Sequence, residues 1–336
     1  MHGTRISACF FTCLAAVAAG YLSGALITAT AVAQDDFPGG KPIEMTVLFP
    51  AGTSADVTAR VLADGMSKQL NTNVLVVNRP GAGGAIGYKY VAQQSPSGHH
   101  LVWNSNSIST TYHTGMMALD YRAFDPVARV LVETPLLVVK ADAPWKDLRE
   151  LIAYAKAHPA TLTVGNSGAG SHTHFSAVML FRAAGVDVID VPFGAAQVIP
   201  SLLGGHVNSV MQLPGALAAH VRSGSLRVLA ALARQRDNAF ADVPTASEQG
   251  VNVVADAWRG IAVPKGAPRA VIARLETAIR RTVASNEFVK ASDSLSVTPA
   301  FLPAPEFGRL MAKEDADLAQ ILLALGLKKS APPLKP

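Results

Sequence analysis

Several residue types that define common protein classes are scarce in this sequence. Only 6% of the 336 residues are aromatic, 16% are charged and two are cysteine. Two cysteines cannot build a disulfide scaffold or a four-ligand zinc site. Lys and Arg form no block of five or more and are not interleaved with aromatic residues. We therefore expect no nucleic-acid-binding groove.

Catalytic and nucleotide-binding motifs are missing as well. The chain contains no G-x-S-x-G elbow, no H-E-x-x-H motif and no S-x-x-K motif set, so we expect no enzyme and no catalytic residue. The glycines of segment 81–87 follow the spacing G-x-G-x-x-x-G, which departs from the dinucleotide fingerprint. His172 and His174 have no evident third ligand, so neither a metal nor another cofactor is expected.

Hydrophobic residues, by contrast, make up 49% of the chain and are concentrated at its beginning. Arg5 is the only charged residue before Asp35, and the apolar stretch ends in the A-x-A sequence of residues 31–33. This pattern predicts a signal peptide at 1–33 that is removed together with both cysteines, and hence an exported protein. The alternative is an uncleaved membrane anchor, because the uncharged stretch is long enough to span a bilayer.

The rest of the chain alternates short β-rich segments with amphipathic helical patterns. Helices are predicted at about 55–70 and around 148–155 and 271–283. The alternation is typical of α/β proteins with largely parallel sheets, and the length favours two lobes. The predicted strands occupy residues 44–49, 73–77, 101–104, 136–139, 162–164, 188–191, 207–211, 226–232 and 261–263.

Three loops follow predicted strands at the position where open α/β sheets bind ligands. They lie at 49–56, 78–87 and 165–174. The first and third combine small residues with the free N–H groups of a helix start, which favours an anion such as a carboxylate, whereas the second is a tight glycine turn. The alternative for the first loop is that Ser54 or Asp56 only caps the helix.

These loops, in this order, resemble those of the Bug family, the periplasmic solute receptors of tripartite tricarboxylate transporters. The resemblance spans nearly all of the chain after the predicted signal peptide. It is carried by the motifs FPAGTSAD at 49–56, NRPGAGG at 78–84, SGAGS at 167–171, VPF at 191–193, LGG at 203–205, DVPT at 242–245, WRG at 258–260 and VPKGAP at 263–268.

The resemblance implies an α/β type II periplasmic-binding-protein fold, with two α/β lobes joined by a two-strand hinge around a central cleft. Lobe 1 is then discontinuous and comprises residues 34–134 and 252–336, and lobe 2 comprises 135–251. The chain is expected to cross between the lobes within 131–140 and 251–263.

The resemblance also implies that ligand-binding residues lie on both sides of the cleft. Those expected in lobe 1 come from the first loop and from the end of the third strand, and those in lobe 2 come from the Ser/Gly loop and the turn after the VPF motif. They are Phe49, Ala51, Gly52, Ser54, Asp56, Asn104, Asn106, Ser107, Ser167, Ser171, His174, Phe193, Gly194 and Ala195.

The sequence departs from the family pattern near the expected cleft. Thr53 and Ser54 stand where the family usually carries a second glycine, the turn at Phe193 lacks the usual lysine, and Gln212 lies where an aspartate is frequent. These differences favour a ligand other than citrate, and Phe193 adds an apolar wall. We expect a monocarboxylate with an apolar or aromatic body.

The resemblance thus implies a non-catalytic, monomeric receptor that captures a small carboxylate and delivers it to the membrane subunits of a tripartite tricarboxylate transporter. Two alternatives stay open, because the same pocket would serve them. One is a ligand sensor that acts on a signalling partner, and the other is an exported hydrolase on the same scaffold.

Overall fold

The computed structural model describes residues 37–236 and 240–324, except for the side chain of Ala324. The predicted signal peptide at 1–33 and the end of predicted lobe 1 beyond residue 324 lie outside the described residues. Within the described ranges, no helix is both long and apolar enough to cross a membrane.

The described residues form two mixed sheets with helices packed against them. The strands are β1 (Ile43–Val47), β2 (Val74–Asn78), β3 (His100–Ser105), β4 (Phe124–Glu133), β5 (Leu136–Lys140), β6 (Thr163–Asn166), β7 (Ile189–Pro192), β8 (Ser209–Gln212), β9 (Leu226–Ala231), β10 (Ala257–Pro264) and β11 (Thr298–Pro303). The helices are α1 (Ser54–Leu70), α2 (Ala85–Ala92), α3 (Ser107–His113), α4 (Leu148–Ala157), α5 (His172–Ala183), α6 (Val198–Leu203), α7 (Pro214–Arg222), α8 (Arg269–Val283), α9 (Asn286–Leu295) and α10 (Ala304–Ala324).

The first sheet has the strand order β11-β4-β10-β3-β1-β2. Strand β1 pairs in parallel with β2 and β3, and β10 pairs antiparallel with β3 and β4. Every residue of β10 is buried, as expected for a central strand that helices cover on both faces. The second sheet has the order β7-β6-β8-β5-β9. These two sheets are the cores of two α/β lobes, which confirms the predicted fold class.

The expectation of largely parallel sheets is wrong. In each sheet, parallel pairs lie on one side and antiparallel pairs on the other: β6 pairs in parallel with β7 and β8, but β5 pairs antiparallel with β8 and β9. The reason is the double crossing between the lobes. The chain leaves the first sheet along β4 and returns along β10, and two neighbouring strands with opposite directions must pair antiparallel.

Strand β11 was missing from the predicted strands because its sequence, TPAFLP, contains two prolines. Proline lacks the N–H group that a central strand needs, but an edge strand tolerates it. Strand β11 is such an edge: it pairs with β4 alone, and its register shifts between Pro299 and Leu302.

Helix α1 shows how local sequence directs the chain at the cleft. Thr53 is extended, with φ −77° and ψ 162°, and Asn71 ends the helix in the left-handed conformation with φ 51°. Between them, Ala59, Leu62 and Met66 are fully buried at the three- and four-residue spacing of one helical face. The helix therefore packs against the sheet and points its first turn at the second lobe.

The two crossings between the lobes run side by side. Strand β4 leads through Thr134 and Pro135 into β5, and the return enters β10 through residues 251–256, here called the crossing segment. The Leu232 N–H donates to the Pro135 carbonyl over 2.9 Å, and the Ala255 N–H donates to the Leu232 carbonyl over 2.9 Å. The lobe boundaries expected near residues 134 and 251 fall between the strands of the two sheets.

Helix α10 touches both lobes. Near its start, Phe307 and Met311 are buried in the core of the first sheet. Near its end, Leu318 and Leu322 pack against Phe175 of α5, which belongs to the second lobe. The helix therefore joins the lobes by side-chain contacts in addition to the two crossings.

Candidate functional site

A central cavity of about 30 Å³ lies between the two lobes. Loops that follow strands of both sheets form its wall together with the start of β10. Its volume suffices for roughly one or two water molecules, so a larger ligand enters only when the lobes separate or the wall adjusts. The lining residues are Phe49, Thr53, Ser54, Ala55, Ser105, Ser107, Ser167, His172, Ala195, Gln212, Leu213, Ala257 and Arg259.

Three helices begin at the wall of the central cavity. Ser54 is the first residue of α1, His172 is the first residue of α5, and Leu213 immediately precedes α7. Each helix start carries unpaired N–H groups and the equivalent of roughly half a positive charge. The cavity therefore offers an environment that favours an anion without a dedicated lysine.

Within the part of the chain that the structure describes, Arg259 supplies the only guanidinium at this cavity, and it is already paired. Arg259 Nε donates to Glu133 Oε2 over 2.9 Å, and both side chains are almost wholly buried. Ser54 Oγ donates to the other oxygen of Glu133. Because the two charges cancel, Arg259 supplies directed N–H donors to the cavity rather than a net positive charge.

His172 lines the same cavity with an uncharged imidazole. Burial lowers the pKa of His172 to about 4, although its hydrogen bond to the Ala255 carbonyl acts in the opposite direction. That bond joins Nε2 to the carbonyl oxygen over 2.9 Å, so Nε2 carries the proton. Nδ1 is then an acceptor, and within the described ranges this buried atom has no hydrogen-bond partner.

A second, larger cavity of about 140 Å³ lies beside the first; we call it the side chamber. It is bordered by α3, α5, α10, the crossing segment and Trp258 of β10. Most of its side chains are apolar. The lining residues are Asn106, Ser109, Thr110, His172, Phe175, Met179, Val254, Ala255, Asp256, Trp258, Met311, Glu314, Asp317, Leu318 and Ile321.

Glu314 is the most perturbed acid of the side chamber. Burial raises the pKa of Glu314 to about 7, against the effect of hydrogen bonds from Trp258 and Asn106. Asn106 Nδ2 donates to Glu314 Oε2 over 2.8 Å, and Trp258 Nε1 donates to the same oxygen. The carboxyl group is therefore close to half protonated at neutral pH.

Five of the residues predicted from the sequence meet at the central cavity. Phe49, Ser54 and Ser107 line it from lobe 1, and Ser167 and Ala195 line it from lobe 2. Ser167 Oγ accepts a hydrogen bond from Gln212 Nε2 over 3.1 Å, which fixes its position in the Ser/Gly loop.

Asp56 supports the first loop from behind. Its Oδ2 accepts the Gly52 N–H over 3.0 Å, and its Oδ1 accepts from Arg60 Nη2 and Asn78 Nδ2, each over 2.9 Å. Burial raises the pKa of Asp56, but these three hydrogen bonds outweigh it and hold the pKa below its usual value. Neither Ser54 nor Asp56 is the N-cap; Thr53 occupies that position. Ala51 and Gly52 are exposed.

Two predicted asparagines lie on the lobe 1 side but outside the central cavity. Asn104 is fully buried, and its Oδ1 accepts from Tyr88 Oη over 2.7 Å. Asn106 lines the side chamber, where its Oδ1 accepts the Trp258 N–H over 2.8 Å.

The remaining predicted residues of lobe 2 shape the loop around the cavity. Ser171 caps α5 by accepting the His174 N–H over 3.2 Å. His174 Nδ1 accepts the Gly170 N–H over 3.2 Å, and its Nε2 lies 3.4 Å from Asp190. Phe193 packs in the core of lobe 2, and Gly194 is exposed before Ala195.

The polar cavity residues that did not figure among the predicted ligand-binding positions are Thr53, Ser105, His172, Gln212 and Arg259. The sequence carried a signal for the last three: Arg259 lies in the WRG motif, His172 in the third loop, and Gln212 at the departure from the family pattern. Their common role depends on the return strand and the second lobe meeting, which no local pattern shows.

The lobes touch directly beside the cavity. Thr110 Oγ1 of α3 donates to the Gly170 carbonyl over 2.6 Å. Gly215 of α7 approaches the start of α1 so closely that a Cβ there would lie 2.6 Å from Ser54 Oγ. The lobes are therefore apposed around the cavity. Across the ranges 37–236 and 240–324, no group of three or more His, Cys, Asp or Glu side chains is arranged to hold a metal ion.

Comparison with known sequences gives matches over most of the chain. A family model described as "Tripartite tricarboxylate transporter family receptor", TctC, matches residues 58–327. A Cupriavidus necator protein from the gbd 5′ region is 30% identical and aligns with 95% of this chain and 98% of its own length. Protein BugT of Bordetella pertussis is 32% identical, covering 89% of this chain and 94% of its own length.

Similar solved structures include proteins with and without a bound acid. A TctC solute-binding protein from Polaromonas, described as having no ligand, is 33% identical with a TM-score of 0.65, covering 84% of this chain and 98% of its own. MatC from Rhodopseudomonas palustris with bound malate is 27% identical with a TM-score of 0.77, covering 84% and 98%. An R. palustris protein with adipate is 25% identical with a TM-score of 0.81, covering 85% and 97%.

Proposed function

The chain belongs to the TctC family of tripartite tricarboxylate transporter receptors, and from that premise we propose that it is the periplasmic receptor that delivers one small carboxylate to such a transporter. The family consists of solute-binding proteins, and two structural neighbours carry malate and adipate. Under the proposal, this protein traps its ligand between lobe 1 (34–134 and 252–336) and lobe 2 (135–251) without chemical turnover.

The observation that carries the proposal is the convergence of three helix starts and Arg259 on one cavity between the lobes. A carboxylate there would accept hydrogen bonds from main-chain N–H groups at the starts of α1, α5 and α7 and from the guanidinium. Since Glu133 already neutralises Arg259, the ligand's negative charge would be balanced by the helix ends.

We propose that Phe49, Ser54, Ser107, Ser167 and Ala195 contact the ligand directly. The other predicted residues would act on the shape of the site. Those on the lobe 1 side are Ala51, Gly52, Asp56, Asn104 and Asn106, and those on the lobe 2 side are Ser171, His174, Phe193 and Gly194.

The apposed lobes support capture by closure. The malate and adipate complexes have lower sequence identity to this chain than the Polaromonas protein without ligand, yet higher TM-scores. That order is expected if the lobe arrangement of this protein is the closed one. Closure would remove water from the carboxylate and strengthen its hydrogen bonds.

Delivery requires export and a membrane partner. The predicted signal peptide at 1–33 would place a monomeric receptor in the periplasm, where the membrane subunits of the transporter would recognise the closed form. Uptake of the identified acid by cells that carry these subunits should then depend on this protein. A signalling role would instead leave uptake unchanged and alter the activity of a membrane partner.

Native mass spectrometry of protein purified from the periplasm tests the proposal directly. We expect a co-purifying acid of low mass, or else a thermal shift with members of a carboxylate panel. A ligand at a hundredfold excess over its Kd stabilises the protein by about 2.7 kcal/mol. Conversion of the ligand during incubation would instead indicate a hydrolase.

A matched pair of variants locates the site. Ser167→Trp fills the central cavity and should abolish the shift, whereas Ser95→Trp places the same side chain at an exposed position after α2 and should not. If both variants bind equally well, the central cavity is not the binding site, and if no carboxylate binds, the receptor proposal is wrong.

A further inference from the structure

The central cavity and the side chamber share a wall. His172 lines both cavities, and Asn106 and Trp258 of the side chamber are chain neighbours of residues that line the central cavity. A ligand held by its carboxylate in the central cavity therefore has space beside it, past the imidazole of His172.

The side chamber is suited to an uncharged group. Among the described residues, its lining contains no lysine or arginine, but it contains Asp256, Glu314 and Asp317. Of these, Asp317 pairs with Lys313 on the outer side of α10. A second carboxylate in the side chamber would find no lysine or arginine among the lining residues to balance its charge, and it would lose part of its hydration on entry.

The apolar side chains of the side chamber come from both lobes. Phe175 and Met179 belong to α5, Met311 and Leu318 to α10, and Trp258 to β10. A volume of about 140 Å³ is close to the roughly 150 Å³ of an apolar cavity that accommodates benzene in another protein. One aromatic ring or an aliphatic chain of similar size fits it.

We propose that this receptor binds a monocarboxylate whose acid group lies in the central cavity and whose apolar body occupies the side chamber. The inference rests on the proposed receptor function and narrows its ligand class. It separates this chain from the neighbours that carry malate and adipate, both of which have two carboxylates. His172, which is neutral and buried, lines both compartments, so the ligand's carboxylate and its apolar body would lie on either side of this imidazole.

Isothermal titration with a graded series of acids tests this ligand class. The probes are propionate, butyrate, hexanoate and 3-phenylpropionate, with succinate and adipate as the matched diacids. We expect affinity to rise about fourfold for each methylene group that enters the side chamber. Hexanoate should bind at least tenfold more tightly than adipate, which has the same number of carbon atoms.

The second measurement uses a variant whose larger side chain fills the side chamber. Met179→Trp enlarges a side chain of the wall and should remove the gain of hexanoate and 3-phenylpropionate over propionate. Leu323→Trp is the control, since Leu323 is 67% exposed on α10 and does not line the chamber. The titrations of the unmodified protein still distinguish the two ligand classes if Met179→Trp fails to fold.

The outcomes separate the two proposals. Tighter binding of adipate than of hexanoate, or no gain with chain length, overturns the monocarboxylate assignment and leaves the receptor function standing. Binding of none of these acids, together with the absence of any co-purifying acid, overturns both.

Discussion

Gly215 permits the start of α7 to approach the start of α1 across the cleft. A Cβ on Gly215 would lie 2.6 Å from Oγ, 3.1 Å from Cβ and 3.2 Å from Cα of Ser54. Carbon atoms in contact prefer about 3.5–4.0 Å, so Gly215→Ala must push the two helix starts apart. Rotation of the Ser54 side chain relieves only the Oγ contact, because Cβ and Cα move with the backbone.

The penalty of Gly215→Ala falls on the closed arrangement alone. Overpacking of this kind costs about 1–3 kcal/mol, and ligand affinity should fall about 5- to 140-fold. The ligand-free stability should change in the opposite direction, since replacing glycine by alanine inside a helix gains up to about 1 kcal/mol. A loss of affinity without a loss of stability is therefore the signature of obstructed closure.

Titration calorimetry with the tightest carboxylate of the panel and thermal unfolding without ligand measure these two effects. Lobe closure can be followed by energy transfer between dyes at Leu75→Cys and Ile189→Cys, two exposed positions on the edge strands β2 and β7. The control is Ala219→Leu, exposed on the same helix as Gly215. Unchanged affinity in Gly215→Ala, or an equal loss in Ala219→Leu, refutes the reasoning.

Three further substitutions test the surroundings of the cavities. The pKa of Glu314 is raised from 4.5 to about 7, so the folded protein keeps a proton that the unfolded chain releases between these pH values. The free energy of unfolding therefore falls as pH rises from 4.5 to 7. Glu314→Gln should abolish that fall, which urea unfolding at about pH 5 and about pH 8 measures. Asp56→Ala removes the acceptor of the hydrogen bonds from Gly52, Arg60 and Asn78 and should cost about 1–3 kcal/mol at pH 7. Because the pKa of Asp56 is lowered, the difference from the unmodified protein should shrink as pH falls towards 3, and a difference independent of pH would contradict this account. Thr110→Val removes the hydrogen bond to the Gly170 carbonyl and should weaken ligand binding about 2- to 12-fold in calorimetry, with little change in the ligand-free melting temperature.

The sequence was most informative where function depends on short segments. The local sequences of the first loop and of the Ser/Gly loop (residues 165–174) determine their backbone conformations. The first loop places Ser54 at the central cavity, and the Ser/Gly loop places Ser167 there. The motif order predicted the two-lobe fold because the family resemblance spans both lobes. The individual strands were predicted to within a few residues, apart from β4 and the proline-rich β11, which were not predicted.

Pairings between distant segments could not be predicted in the same way. Asp56 looked like a ligand contact or a helix cap, and only the fold brings Asn78 of β2 against it. Arg259 and Glu133 are far apart in the sequence, and their pairing depends on β10 lying beside β4. The side chamber exists because α10 reaches back across both lobes, which periodicity within α10 does not reveal.

The contact between α10 and α5 lies nearer to the crossings between the lobes than the helix starts at the central cavity do. Phe175, Leu318 and Leu322 pack together close to the crossing segment that lines the side chamber, whereas Gly215 and Ser54 meet at the cavity wall formed by the helix starts. If one lobe rotates relative to the other about the crossings, the helix starts therefore move farther than the α10–α5 cluster, which lies near the axis of rotation. A ligand with an apolar end would then bind in two steps. Its apolar body contacts the side chamber while the lobes are apart, and its carboxylate forms its hydrogen bonds only after the lobes close.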